Sequence, residues 1–260
     1  TARQWFAAGD ERLYLRVGTN MNEEKLLYEN SKHALQSDNI IAITNRHLCS
    51  RPFMEQLERV CKLHPHAIVL REKDMPEAEY LSLARDVIAL CKKYDVQCML
   101  HSFINVAMEL EHPYIHLPLP ILEAYVKKNV SGNISTGMSK STDNYQQFFK
   151  VIGTSVHSVE DAIKAEQLGA TYMTAGHIFA TDCKKGLPPR GLDFLKNVCD
   201  AVGIPVYAIG GINIASSDDS TASDSPSTYD AVPDISVPRL ADVMECGAAG
   251  GCIMSGMMRV

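Results

Sequence analysis

VIGTSVHSVEDAIKAEQLGATYMTAGHIFATDCKKGLPPRG, Val151–Gly191, decides how the rest of the chain is read. Two apolar runs, Val151–Ser155 and Tyr172–Ala175, flank a helical segment that starts after Ser158. Ser158 with Asp161 three residues on has the spacing of a capping box, which satisfies free backbone N–H groups of a first helical turn. A strand, a helix and a second strand in this order predict parallel pairing through a right-handed crossover. Polar chemistry follows each strand: Ser155-Val156-His157-Ser158 after the first, Thr181-Asp182-Cys183-Lys184-Lys185-Gly186 after the second. A histidine able to move protons and lysines able to hold an anion then lie at one end of one sheet. This suggests an enzyme acting on a small phosphorylated molecule.

The same alternation extends both ways. Ile40–Thr44, Ala67–Arg71, Gln97–Leu100 and Tyr114–Leu117 read as the four earlier strands, Val206–Gly211 and Gly251–Gly256 as the two later ones. Helices are expected over Pro52–Leu63 and Pro76–Tyr94, the second with Leu81, Ala84, Val87, Ile88 and Cys91 on one face. Eight strands separated by helical segments favour a closed (β/α)8 TIM barrel over an open sheet. The barrel is expected over residues 40–260, with residues 1–39 as an N-terminal extension carrying one amphipathic stretch, Asn22–Leu35. Two polar insertions interrupt it. Asn129–Asn144 reads as a loop on the stability face, and Ser216–Val237, rich in Ser and Asp, as a mobile insertion on the catalytic face. The sequence stops four residues after Gly256. The barrel is therefore expected either to lack its last helix or to be closed by the N-terminal helix.

Composition narrows the function. A net charge of −6 gives no support to nucleic acid as a partner. No apolar run approaches the roughly 18 residues of a membrane span, and the first residues lack the pattern of a secretory signal. The eight cysteines form no C-x-x-C pair, so reduced thiols in a cytoplasmic protein are expected rather than a zinc site. A homo-oligomer is left open.

Active sites of such barrels form on the loops after the strands. The strand ends read Thr44, Arg71 and Lys73, His101 and Ser102, His116, Ser155 and His157, then His177, Thr181, Cys183 and Lys184. The glycine-rich turns Gly210-Gly211 and Ser255-Gly256 close the ring, where backbone N–H groups can approach a phosphate. Arg71 and Lys73 suit a carboxylate or phosphate, unless Glu72 takes them in a salt bridge. His101 and His116 imitate a metal pair, but without a carboxylate they are not expected to hold one. His177 is either a polar group of the pocket or a structural residue, Cys183 a spacer, and Lys185 solvated.

GTSVHSVEDAIKAEQLGATYMTAGHIFATDCKKGLPPRGLDFL, with IPVYAIGGI and GCIMSG, resembles the thiamine phosphate synthase/TenI superfamily over Ile40–Gly256. The GH-x-F-x-TDCKKG segment is similar to the TenI branch, the thiazole tautomerases. The resemblance implies a TIM barrel in thiamine biosynthesis and a small phosphorylated thiazole as ligand. It also implies a place for His157, through SVHS, as the acid/base that shifts a proton from ring carbon to side-chain carbon without metal or cofactor. An imidazole with an ordinary pKa of about 6.5 suits both directions of transfer. The synthases of the superfamily carry an Asn-Asp pair after strand three and an Asp after strand four, which hold magnesium for pyrophosphate release. This chain has His101-Ser102 and Pro118-Leu119-Pro120-Ile121 there. Tautomerase is therefore the first expectation, with thiamine phosphate synthase or a non-catalytic thiazole-phosphate-binding regulator as alternatives.

Overall fold

Eight parallel strands form a closed barrel in sequence order, and β1 (Ile40–Ile43) pairs with β8 (Gly250–Ile253) to shut it. Between them run β2 (Ala67–Leu70), β3 (Gln97–His101), β4 (Tyr114–Pro118), β5 (Val151–Val156), β6 (Tyr172–Gly176) and β7 (Val206–Ile209). The computed structural model describes residues 38–132, 148–181, 184, 186–215 and 236–260. The expected extension, apart from Asp38 and Asn39, and residues 133–144 and 216–235 of the two insertions lie outside those residues. None of the described helices is long and apolar enough to cross a membrane.

The strands are buried on both faces, so they read in the sequence as continuous apolar runs rather than as alternation. Alternation is nevertheless present in the packing. Ile41, Ile43, Val69, Met99, Tyr172, Tyr207 and Cys252 form one cluster inside the barrel. Ile40, Ala42, Ile68, Leu70, Leu100, Ile115 and Met173 point outward into a second cluster with the helices. Each fully buried aliphatic side chain contributes about 1.5–3 kcal/mol. The close approach of β5 and β6 inside the barrel needs Gly153, since a Cβ there would lie 2.1 Å from the Tyr172 ring.

Each of the first seven strands is followed by a helix: α1 (Phe53–Lys62), α2 (Glu77–Lys93), α3 (Ile104–Glu109), α4 (Leu119–Gly132), α5 (Val159–Gln167), α6 (Gly191–Ala201) and α7 (Leu240–Glu245). On α2 the buried stripe is Tyr80, Ala84, Val87 and Cys91, while the expected Leu81 and Ile88 are only half-buried. Tyr80 explains the rotation. Its hydroxyl donates to the Leu70 carbonyl at 2.6 Å and accepts from the His101 N–H at 3.0 Å, pinning the ends of β2 and β3.

Strand ends shift from expectation by one or two residues, and two boundaries differ by more. The polar loop expected from Asn129 begins instead as helix, because α4 carries its apolar start through Lys127-Lys128 to Gly132. Strand eight ends at Ile253, so Ser255 and Gly256 belong to a turn. Beyond it Met257 and Met258 are buried, and the Gln56 amide of α1 donates to the Met257 carbonyl at 2.7 Å. This segment packs on the flank of α1.

Candidate active site

A cavity of about 620 Å³ opens at the carboxyl ends of the strands. Of the residues singled out in the sequence, Arg71, Lys73, His101, Ser155, His157, His177, Thr181, Lys184, Gly210, Gly211 and Ser255 line it. Three anticipated residues do not, one of them Thr44, which is buried against Glu72. Ser102 stands behind His101, its hydroxyl 2.8 Å from His101 Nδ1. Gly256 is a packing position, where a Cβ would lie 3.2–3.3 Å from Ile253 and Ile214. Asp182, Cys183 and Lys185 lie outside the described residues.

His157 follows β5 directly and is exposed to the cavity. Its Nδ1 lies 2.9 Å from the Gly176 carbonyl oxygen. A carbonyl only accepts, so Nδ1 carries the hydrogen, and in the neutral ring Nε2 is the nitrogen with the lone pair. The backbone is fixed as well: the His157 N–H donates to Asp161 Oδ2 at 3.3 Å, and the Asp161 N–H donates to Ser158 Oγ at 3.0 Å. The expected capping pair thus orients the residue just before the cap.

A polar array lies on the β3–β6 wall. Register pairs His101 with His116 and Ser155 with Thr174, which brings these four side chains to the cavity side of the barrel. The two imidazoles stack with centroids 5.6 Å apart. Thr174 Oγ1 donates to Ser155 Oγ at 3.0 Å, freeing the Ser155 hydrogen for His116 Nε2 at 2.9 Å. His116 Nδ1–H then donates to the Tyr172 hydroxyl at 2.9 Å. Burial, followed by repulsion from Arg71 and Lys73, holds the His116 pKa down to about 3. Burial, with His116 and Arg71 next, takes His101 to about 2. Both are neutral at physiological pH. The Ser155–His116 contact has the outline of a nucleophilic pair, but so weak a base cannot activate the hydroxyl.

Arg71 and Lys73 escape the salt bridge that Glu72 threatened, because Glu72 turns away to Thr44 and Arg46. Burial, then Arg71, lowers the Lys73 pKa. Among the described residues two carboxylates line the cavity, and both are engaged: Glu123 pairs with Lys164 at 2.7 Å, and Asp161 caps α5. Among the described residues no group of three or more His, Cys, Asp or Glu is arranged to hold a metal.

His177 is buried, with Nε2 3.4 Å from the Leu187 carbonyl and no partner for Nδ1 among the described residues. Its segment rests on the glycine turn after β7: Ile178 N–H donates to Ile209 O at 2.9 Å, and Phe179 N–H to Gly210 O at 3.0 Å. Gly210 (φ +102°) and Gly211 (φ +71°) are in the region that favours glycine. Cβ atoms there would lie 2.5 Å from His177 Cβ and the Ala180 carbonyl, respectively. The turn therefore has a packing duty besides any ligand it meets. Thr174, Tyr172 and Asn213 were missed by the sequence reading. Thr174 could have been found from its register with Ser155, but Tyr172 enters at the opposite end of its strand and carries no local signal.

The profile of the family described as thiamine monophosphate synthase (TMP-TENI) matches residues 40–225. A relative from Aquifex aeolicus, named "Putative thiamine-phosphate synthase 2", is 35% identical over 173 residues, 66% of this chain and 84% of that one. The thiamine-phosphate synthase of Caldanaerobacter subterraneus subsp. tengcongensis is 30% identical over 175 residues, 67% of this chain and 75% of that one. Among solved structures, the thiamine phosphate pyrophosphorylase of Pyrococcus furiosus shares the fold with a TM-score of 0.59 at 24% identity, covering 86% of this chain and 89% of that one.

Proposed function

This chain belongs to the thiamine monophosphate synthase (TMP-TENI) family, and we propose that within it the chain works as a metal-independent thiazole tautomerase. Membership implies thiamine biosynthesis and small phosphorylated substrates. The observation that carries the finer reading is the His157–Gly176 bond, which leaves one basic nitrogen at the cavity. Nε2 takes the proton from the ring carbon that bears the carboxylate. The released electron pair moves through the ring, the exocyclic double bond shifts into it, and the same Nε2–H returns the proton to the side-chain carbon. Substrate and product are isomers, so no oxidant or co-reactant is needed. Arg71 and Lys73 hold one anionic end of the ligand; Lys184, Gly211 and Ser255 hold the other. Acid–base assistance of this kind is worth about 10²–10⁴ in rate.

The names of the relatives favour a second reading, synthesis of thiamine phosphate with release of pyrophosphate. That reaction draws on magnesium, which takes carboxylate and phosphate oxygens. The described residues do not fit it: the ends of β3 and β4 offer His101, Ser102 and Pro118, and the lining Glu123 and Asp161 already have partners.

One experiment separates the two. The exocyclic tautomer of the thiazole carboxylate phosphate is incubated with wild type and with His157→Ala in the presence of a chelator. Aromatisation by wild type alone supports the tautomerase. Magnesium-dependent pyrophosphate release from the synthase substrates, without aromatisation, replaces it by the synthase. Ligand binding with neither reaction leaves a thiazole-phosphate-binding protein.

A further inference from the structure

Arg71-Glu72-Lys73-Asp74, at the end of β2, carries no net charge as a sequence, but the fold sorts its charges. Arg71 and Lys73 line the cavity, whereas Glu72 and Asp74 do not. Both carboxylates are taken by Arg46, in the 3₁₀ turn Arg46–Leu48 that follows β1. Nη1 lies 3.0 Å from Glu72 Oε2 and 2.7 Å from Asp74 Oδ1, and Nη2 lies 2.7 Å from Asp74 Oδ2. The Arg46 N–H adds bonds of 3.1 and 3.2 Å to the two Glu72 oxygens. Thr44 Oγ1 donates to Glu72 at 2.6 Å and accepts from the Arg71 N–H at 2.9 Å. His47 Nε2 closes the outer side, 2.9 Å from Asp74 Oδ2.

The Glu72 side chain is 1% exposed, so its charge is committed to these partners. Arg46 itself does not line the cavity. Its effect on the cavity is indirect. A carboxylate stands next to each cation in the chain, and either carboxylate, if released, could turn toward Arg71 or Lys73 and compete with an anionic ligand. The bidentate guanidinium grip prevents this, and a lysine could not copy it, because an ammonium is a single point charge.

We propose that Arg46 is a positioning residue for anion binding, which keeps Arg71 and Lys73 free for the ligand by holding Glu72 and Asp74 on the outer side of the β2 loop. This deepens the function proposed above and rests on its reading that an anionic ligand occupies the cavity.

The test measures Kd by calorimetry for two probes, the aromatic thiazole carboxylate phosphate and inorganic pyrophosphate, and steady-state kinetics alongside. R46M is expected to bind both probes about tenfold more weakly, with KM raised to match and kcat within about twofold. The triple variant R46M/E72Q/D74N removes the competing carboxylates together with their holder, and its affinity should return to within about threefold of wild type. A merely structural role for Arg46 predicts instead that affinity follows the folded fraction, so thermal melts of each variant are read beside its Kd, and weaker binding must persist in fully folded R46M. Wild-type affinity in R46M, a triple variant as weak as R46M, or a wild type that binds neither probe would overturn the proposal. R46M leaves Glu72 buried without its cation; if it does not fold, R46K and the triple variant carry the test by the same two criteria. A wild type that binds pyrophosphate with this pattern but ignores the thiazole ligand overturns the tautomerase reading and leaves the role of Arg46 standing.

Discussion

His157 Nδ1 and the carbonyl oxygen of Gly176 lie 2.9 Å apart across the paired ends of β5 and β6, and this bond decides which imidazole nitrogen can act as a base. An asparagine could keep the donor to Gly176 but would present no basic nitrogen to the cavity. His157→Asn should therefore lose as much turnover as His157→Ala, about 10²–10⁴-fold, while product affinity stays within about threefold. Single-turnover kinetics with calorimetric Kd values check this. Substantial activity in His157→Asn would show that the ring serves only to order the loop.

How much of this could be read from the sequence depends on what each residue answers to. The strands were legible because a parallel barrel buries both faces, so IIAI and AIVL stand out as unbroken apolar runs. The cationic, imidazole and glycine part of the cavity lining was legible too, since one topological rule puts every strand end on one rim. Tyr80 was not, because its hydroxyl answers to Leu70 and His101, distant partners that no helical period reveals. Arg46 was missed for a similar reason: its duty is to Glu72 and Asp74, across a strand and a helix. Gly210-Gly211 was read as a phosphate turn, and the packing of Phe179 and Ala180 against it has no signature in the local sequence.

Gly153 stands opposite Tyr172 in the β5–β6 register, and a Cβ would come within 2.1–2.4 Å of the phenol ring and hydroxyl. Gly153→Ala must push Tyr172 off His116. The expected cost is about 1–3 kcal/mol, or a Tm lower by roughly 2–12 °C. Gly203→Ala is the control, since its nearest neighbour is Glu166 Oε1 at 3.4 Å, and it should stay within about 0.5 kcal/mol of wild type. Thermal melts of the two variants decide; equal melting points would mean that the barrel interior yields at Tyr172.

His101 and His116 make stability depend on pH in a stated direction. Their folded pKa values, about 2 and about 3, lie below the ordinary imidazole value, so the unfolded chain binds more protons between. The stability contributed is full above about pH 6.5 and is lost as pH falls toward 3, by up to about 1.4 kcal/mol per pH unit for each group. His116→Gln should remove one group's share of that slope between pH 6.5 and 5. Urea unfolding at several pH values measures it, and an unchanged slope would mean that His116 is already protonated in the folded protein.

Gly211 joins the cavity to the loop that carries Thr181 and Lys184. Its φ of +71° already disfavours a side chain, and a Cβ would lie 2.5 Å from the Ala180 carbonyl and 2.6 Å from Phe179 Cβ. The turn is clamped from outside as well, because Arg239 donates to the Gly211 carbonyl at 2.7 Å with its guanidinium 4.5 Å over the Phe179 ring. Gly211→Ala must therefore move the Phe179–Thr181 segment rather than the turn, and KM should rise about tenfold or more while kcat falls less. Gly247, at φ +92° but with its nearest contact the Cys199 Cβ at 3.4 Å, carries the same backbone strain away from the cavity. Gly247→Ala should cost about 1 kcal/mol of stability and leave KM alone. If both variants lower the melting temperature and neither moves KM, the glycine turn supports the barrel without shaping the ligand site.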